Sequence, residues 1–271
     1  IFEDFSGPQE WIEILKREGY TAAYCPVSLD TGDKIIRDFR QIARENDIVI
    51  SEVGAWSNPL SEDEKEREAA LKKCKNGLEL AEKIGARCCV NIAGSRSERW
   101  DGPDGNNFSE YTFDQIVEVV QNIIDDVQPE NSFYTLEPMP WIFPDSTSSY
   151  QDLLDAVDRK QFAVHFDPVN MFCSPRRYFY KEKIIQNFIS ELNSEIKSCH
   201  LKDVVLRDDL TVHIEETIPG MGEIDYSFFL QELEKLAPDT PVMLEHLDGI
   251  KDRRAATNYI RVLARNLEID L

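Results

Sequence analysis

Short apolar runs alternate along the chain with longer stretches whose apolar residues return every three or four positions. The first pattern marks a buried strand and the second an amphipathic helix, because side chains repeat every two residues in one and every 3.6 in the other. PQEWIEILKREG, closed by Gly19, predicts a helix, and TAAYCPVS directly after it predicts a strand. KIIRDFRQIARENDIVISEVGAW repeats the pair. SEDEKEREAALKKCKNGLELAEKIGARCCVNIAGS repeats it with a longer helix, opened by Ser61 and by acidic residues that suit the positive end of a helix dipole. The order continues through TFDQIVEVVQNIIDDV and SFYTLEPMP, SSYQDLLDAVD and QFAVHFDPVN, FYKEKIIQNFISELN and IKSCHLKDVV, then YSFFLQELEKLA and PVMLEHL. KDRRAATNYIRVLARNLEI closes the chain as a helix, for about seven strands and eight helices in all.

Strands joined through helices run parallel, either in an open doubly wound sheet or in a closed barrel. No GxGxxG or GxxxxGK(S/T) turn of the kind that open nucleotide-binding sheets carry occurs here. Chemically active residue types end many of the strands, which is where a barrel assembles its site. The expectation is an α/β fold, a (β/α)8 TIM barrel forming a single domain over residues 1–271. Because the pattern opens on a helix, the barrel's first strand would fall just upstream of Ile1 and is expected to be missing or truncated. RSERWDGPDGNNFSEY and RDDLTVHIEETIPGMGEID read as two long loops on the active face.

Charge narrows the partners. Thirty Lys and Arg against 51 Asp and Glu give a net −21, which repels phosphate backbones and anionic membrane surfaces, so neither nucleic acid nor a membrane is expected. No apolar stretch reaches the roughly 20 residues needed to cross a bilayer. The six cysteines lack the paired short spacing of a zinc site and read mostly as buried thiols of a reducing cytoplasm. IFEDFSG at the start shows neither a basic region nor a hydrophobic signal core.

The final four strands end in Glu137 of YTLEPMP, Asp167 of VHFDPVN, His200 of SCHLKDV and Glu245 of VMLEHL. In a parallel barrel these side chains converge at the carboxyl ends. Three carboxylates crowded together repel one another, and a divalent cation makes the arrangement tolerable. Oxygen donors with one imidazole suit Mn²⁺, Mg²⁺ or Co²⁺ better than a thiolate-seeking ion. Two residues from these ends, His165 and Lys202 share the inward face and are candidates to touch substrate or support the metal, against a core histidine and a salt-bridged lysine. Asn91 and Trp141 can bond to or stack on a sugar ring, with packing as the plainer reading. Arg176, beside Arg177, can bind a substrate phosphate or carboxylate.

LEP, HFDPVN, CHLKD and LEH, together with GSRSERWDGP and PGMGEID, resemble the xylose-isomerase-like superfamily of sugar phosphate isomerases and epimerases over nearly the whole chain. The resemblance implies a (β/α)8 barrel with one divalent metal, usually manganese, held by Glu137, Asp167, His200 and Glu245. It further implies that Glu137 and Glu245 are the acid/base pair on opposite faces of a small ketose or polyol. Two positions depart from the epimerase pattern. Asn170 stands at a substrate-contacting position, three residues after the metal-binding Asp, where the epimerases often carry His, and Phe143 replaces an acidic substrate contact. Dehydratases and lyases of the superfamily, among them inosose dehydratases and C-glycoside-cleaving enzymes, use the same metal set for elimination and are the alternative. A DNA-repair endonuclease of this barrel is disfavoured by the charge, and a vestigial sugar-binding module by the filled ligand positions. Homo-oligomers paired through the loop faces are common among such barrels.

Overall fold

The computed structural model describes residues 3–271. Its elements follow in the order α1 (Pro8–Glu18), β1 (Ala22–Ala23), α2 (Asp33–Glu45), β2 (Val49–Ile50), β3 (Glu52–Gly54), α3 (Glu64–Ile84), β4 (Cys88–Asn91), α4 (Glu110–Val127), β5 (Phe133–Leu136) and α5 (Thr147–Val157). Then come β6 (Phe162–Phe166), α6 (Pro175–Phe179), α7 (Lys181–Leu192), β7 (Ile196–Leu201), β8 (Asp203–Arg207), β9 (His213–Thr217), α8 (Tyr226–Leu233), β10 (Val242–Leu244) and α9 (Gly249–Asn266). Strands β3, β4, β5, β6, β7 and β10 form one parallel sheet in that spatial order, and β1 pairs with β2 in parallel. β2 and β3 are one run that changes partner at Ser51, whose N–H donates to Ala23 O and whose carbonyl accepts from Cys88 N. The result is an incomplete (β/α)8 barrel.

Among the described residues no strand lies between β1 and β10. A cavity of about 660 Å³ occupies that seam, with Ala22, Ala23 and Tyr24 on one wall and Val242, Met243 and Leu244 on the other. β1 itself is two residues long, and hydrogen bonds from Val49 N to Thr21 O and from Cys25 N to Glu52 O continue its pairing on either side.

Local signals largely hold. α1 stops at Gly19, whose φ of 71° is left-handed, a conformation glycine adopts without a steric penalty. α3 is capped by Asp63, which accepts from Lys65 N and Glu66 N at 2.9 and 3.0 Å, and not by Ser61, whose hydroxyl instead donates to Glu66. The acidic side chain two residues nearer the helix reaches the free N–H groups first.

The stretch 207–225, expected to be a loop, contributes to an antiparallel hairpin, β8 paired with β9 from Asp203↔Thr217 to Arg207↔His213. Most of its side chains face solvent on both sides, so there is no apolar alternation from which β9 could be read. The hairpin base is held by Asp203, whose carboxylate accepts four backbone N–H groups, from Val204, Gly220, Gly222 and Ile224, at 2.8–3.1 Å. Gly222 is required by this clamp, since a Cβ there would overlap the Asp203 carboxylate and stand 2.7 Å from Val204 N.

Beneath the strand ends, the buried Tyr150 hydroxyl ties β5 to β6. It donates to Leu136 O at 2.6 Å and accepts from His165 N at 3.1 Å, at the register shift between Val164 and His165. The tie satisfies the His165 N–H on the β5 side, while the register shift lies on the β7 side, where Val164 pairs with Ile196 and His165 with Ser198.

Gly222→Ala is expected to destabilise the fold by about 1–3 kcal/mol through overpacking, read as a lower urea midpoint. An unchanged midpoint would show that the Asp203 clamp yields freely.

Candidate metal centre

Each of the four strand-end residues lies on or just past a strand of the parallel sheet, and backbone pairing fixes where it stands. Glu137 N donates to Asn91 O and Glu245 N to Leu201 O, so pairing continues past the ends of β5 and β10 and aims both side chains inward. Asp167 follows β6. Its Oδ1 accepts from Val169 N at 3.1 Å, which leaves Oδ2 to face the barrel axis. His200, on β7, is fully buried with Nδ1 toward the carboxylates.

His200 Nδ1 lies 3.1 Å from Glu245 Oε2, 3.2 Å from Glu137 Oε1 and 3.9 Å from Asp167 Oδ2. One donor atom from each of the four residues falls within 4.8 Å of all the others. An octahedral ion with ligands at about 2.1 Å separates neighbouring donors by about 3.0 Å and opposite ones by about 4.2 Å, so these spacings fit. Asp167 Oδ2 and Glu245 Oε2 are buried and receive no backbone or neutral donor; only the Lys202 ammonium and, for Glu245, the His200 ring stand against them, as suits oxygens that a cation can claim. The cluster can hold a divalent metal.

Lys202 shares the same oxygens. Its Nζ is 2.7 Å from Asp167 Oδ2, 2.8 Å from Glu245 Oε2 and 3.8 Å from Glu137 Oε1, and it donates to Asn170 Oδ1 at 3.3 Å. Asn170 in turn donates to Glu137 Oε1 at 3.2 Å. Lys202 and Asn170 therefore stand at the cage, as the sequence suggested.

The other candidates are placed differently. Asn91 is fully buried, with its amide bonded to Ser57 N, Ser57 O and Cys74, so it clamps the loop after β3. Trp141 Nε1 donates to Asp101 O at 2.7 Å, joining the loops after β4 and β5. Arg176 is exposed on α6, while its neighbour Arg177 pairs with Asp145 at 3.1 Å. His165 lies one layer below the cage, its ring edge-on to that of His200 at 4.1 Å. Phe143 packs between Phe108 and Phe113, away from any charged contact.

Sequence reading missed Glu52, Ser198, Tyr24 and Glu216. Glu52 Oε1 is 3.1 Å from His200 Nε2, and Ser198 Oγ donates to Glu52 Oε2 at 2.7 Å. The available signal was an acid inside the apolar run IVISEVGAW, the same signal that marked the other four. The Tyr24 ring stands 6.2 Å from that of His200. Glu216, on the hairpin, lies 3.6 Å from Lys202 and 2.7 Å from His246, closing one side of the mouth.

The side chains divide the two glutamates. Burial pushes the Glu137 carboxyl up. Burial opposes the charge of Glu245 as well, but His200 and Lys202 outweigh it and hold that carboxyl well below the usual range. Environments that pull two acids apart are what an acid/base pair requires.

A family model described as xylose isomerase-like TIM barrel matches residues 12–265, and the chain belongs to that family. No curated protein matches it in sequence. Solved structures similar to it include D-psicose 3-epimerase determined in the presence of D-fructose, 13% identical with a TM-score of 0.69, over 94% of this chain and 92% of that one. The probable 3-DHS dehydratase AsbF of Bacillus anthracis is similar at 14% identity and a TM-score of 0.70, over 96% and 95%. A xylose isomerase-like TIM barrel protein from Mycobacterium smegmatis in complex with magnesium is similar at 16% identity and a TM-score of 0.65, over 97% and 90%. At these identities the likeness concerns the fold.

Two outcomes are expected. Saturating the cage at about 100 times the dissociation constant adds about 2.7 kcal/mol, visible as a rise in melting temperature that a chelator reverses. Lys202→Met leaves Asp167 and Glu245 unneutralised and costs about 3–5 kcal/mol in chelator, with metal restoring more stability than it adds to the wild type. Equal metal responses in the two proteins would contradict the shared-oxygen geometry.

Proposed function

We propose that this protein is a divalent-metal-dependent sugar isomerase or epimerase acting on a small ketose or polyol, with manganese the preferred ion and the cytoplasm its place of work. The observation that supports the reading most is the convergence of Glu137, Asp167, His200 and Glu245 within 4.8 Å. A divalent ion held by these four supplies electrophilic polarisation of a carbonyl and a neighbouring hydroxyl, which eases loss of the proton on the adjacent carbon.

The chain's own groups do the rest. Glu245, beside the Lys202 ammonium at 2.8 Å, is the base that takes the proton. Glu137, whose carboxyl is pushed up by burial, returns one from the other side, and the centre is inverted. If the proton returns to the neighbouring carbon instead, aldose and ketose interconvert. Lys202, at 2.8 Å from Glu245, can steady an oxyanion beside the base.

Elimination by a dehydratase or lyase is the second reading, favoured by Lys202. An ammonium among the carboxylates is also a donor placed to assist a departing hydroxyl. The departures at Asn170 and Phe143 set the substrate pocket apart from that of the epimerases.

Incubation of a ketose and cyclitol panel in D₂O with Mn²⁺ tests the proposal. Deuterium is expected to enter carbon positions next to the carbonyl, and Glu245→Gln and Glu137→Gln are each expected to lower that exchange about 10²–10⁴-fold. Loss of water with growth of an unsaturated carbonyl would favour elimination. Unchanged exchange in both variants would sink the acid/base assignment.

A further inference from the structure

Glu52 sits inside an apolar run and is 2% exposed, although carboxylates stay near water unless bonded. It reaches across the barrel from β3 to β7, and its two oxygens are divided between two residues there: Oε1 faces His200 Nε2 at 3.1 Å, and Oε2 receives the Ser198 hydroxyl at 2.7 Å. We infer that Glu52 is the positioning residue of the metal cage: it keeps the His200 proton on Nε2 and so turns the Nδ1 lone pair toward Glu137, Asp167 and Glu245. The inference rests on the reading of that cage as a metal site.

The reasoning is one of donors and acceptors. A neutral imidazole has one N–H and one lone pair, and an ionised carboxylate can only accept. Carboxylates face both ring nitrogens, so when an ion takes the place of a proton at Nδ1, the nitrogen facing Glu52 keeps its hydrogen and the one facing the cage becomes the ligand. Ser198 and His200 stand two residues apart on one face of β7, so the hydroxyl that fixes the carboxylate and the ring that uses it are presented together. His165 completes the support. Its Nε2 is 3.4 Å from Glu52 Oε2, and its ring, 4.1 Å from that of His200, limits how far the ligand ring can tilt. Without the carboxylate both tautomers are open, and the one protonated on Nδ1 cannot bind an ion.

The test compares the wild type with Glu52→Leu, Glu52→Gln and Ser198→Ala by Mn²⁺ titration calorimetry. It adds ¹⁵N-histidine NMR of the Mg²⁺-loaded protein. The wild type is expected to take one ion per chain, with His200 protonated on Nε2. Glu52→Leu is expected to weaken binding about 10–100-fold, with Ser198→Ala weaker by less, and Glu52→Gln, which keeps an acceptor, recovering most of the loss. A purely structural role would lower the melting temperatures without altering the tautomer or separating Leu from Gln. If Glu52→Leu does not fold, the wild-type tautomer and Ser198→Ala decide the matter. Equal affinity in all four proteins, a proton on His200 Nδ1, or a second ion shared by Glu52, His165 and His200 would each overturn the inference. Failure of the wild type to bind any divalent ion would instead remove the cage reading, and this inference with it.

Discussion

The constraint on which the rest of the structure depends is the crowding of like charge in a nearly dry space. Glu52, Glu137 and Asp167 are each at most 5% exposed, and Glu245 closes the same volume from β10. Carboxylates so placed repel one another and lose their hydration, and each effect is severe where the dielectric is low. Lys202 and the imidazole protons relieve part of this. Lys202 brings one positive charge to the carboxylates of Glu137, Asp167 and Glu245, and a doubly charged ion suits the remaining negative potential better than any further side chain.

Tolerating such a cluster requires rigid supports, and the barrel supplies them in layers. The Tyr150 hydroxyl locks β5 against β6 directly below Glu137 and Asp167. Glu52, Ser198 and His165 form the floor on which His200 rests. Above, the Asp203 clamp holds the base of the hairpin that carries Glu216 to the rim. These bonds run from strand to strand beneath the four strand-end residues and fix where their side chains stand. Such preorganisation is what lets fixed dipoles and charges act on a substrate without rearrangement.

The seam between β1 and β10 shows what the arrangement can spare. β1 and β10 are not paired there among the described residues, yet β10 is held in register by β7 from Val242↔Cys199 to Leu244↔Leu201. Glu245 takes its backbone direction from β7, with the Tyr24 hydroxyl donating to Leu244 O across the seam, and its side chain is the most exposed of the four strand-end residues at 16%.

Periodicity and strand-end chemistry in the sequence determined the alternation of helix and strand, the parallel barrel, and the four residues that meet at its mouth. They could do so because buried strands are continuous apolar runs, and an acid or imidazole that interrupts one stands out. The same cue was present at Glu52 but was passed over, since that acid interrupts its run from within and does not end it. Tertiary structure alone decided which nitrogen of His200 faces the carboxylates, that Lys202 shares their oxygens, and that the amide of Asn91 is bonded within the fold. It also decided that β9 is a strand. These facts depend on partners tens to hundreds of residues away, such as Glu52 with His200 and Lys202 with Glu245, and no local pattern encodes a distance across the barrel.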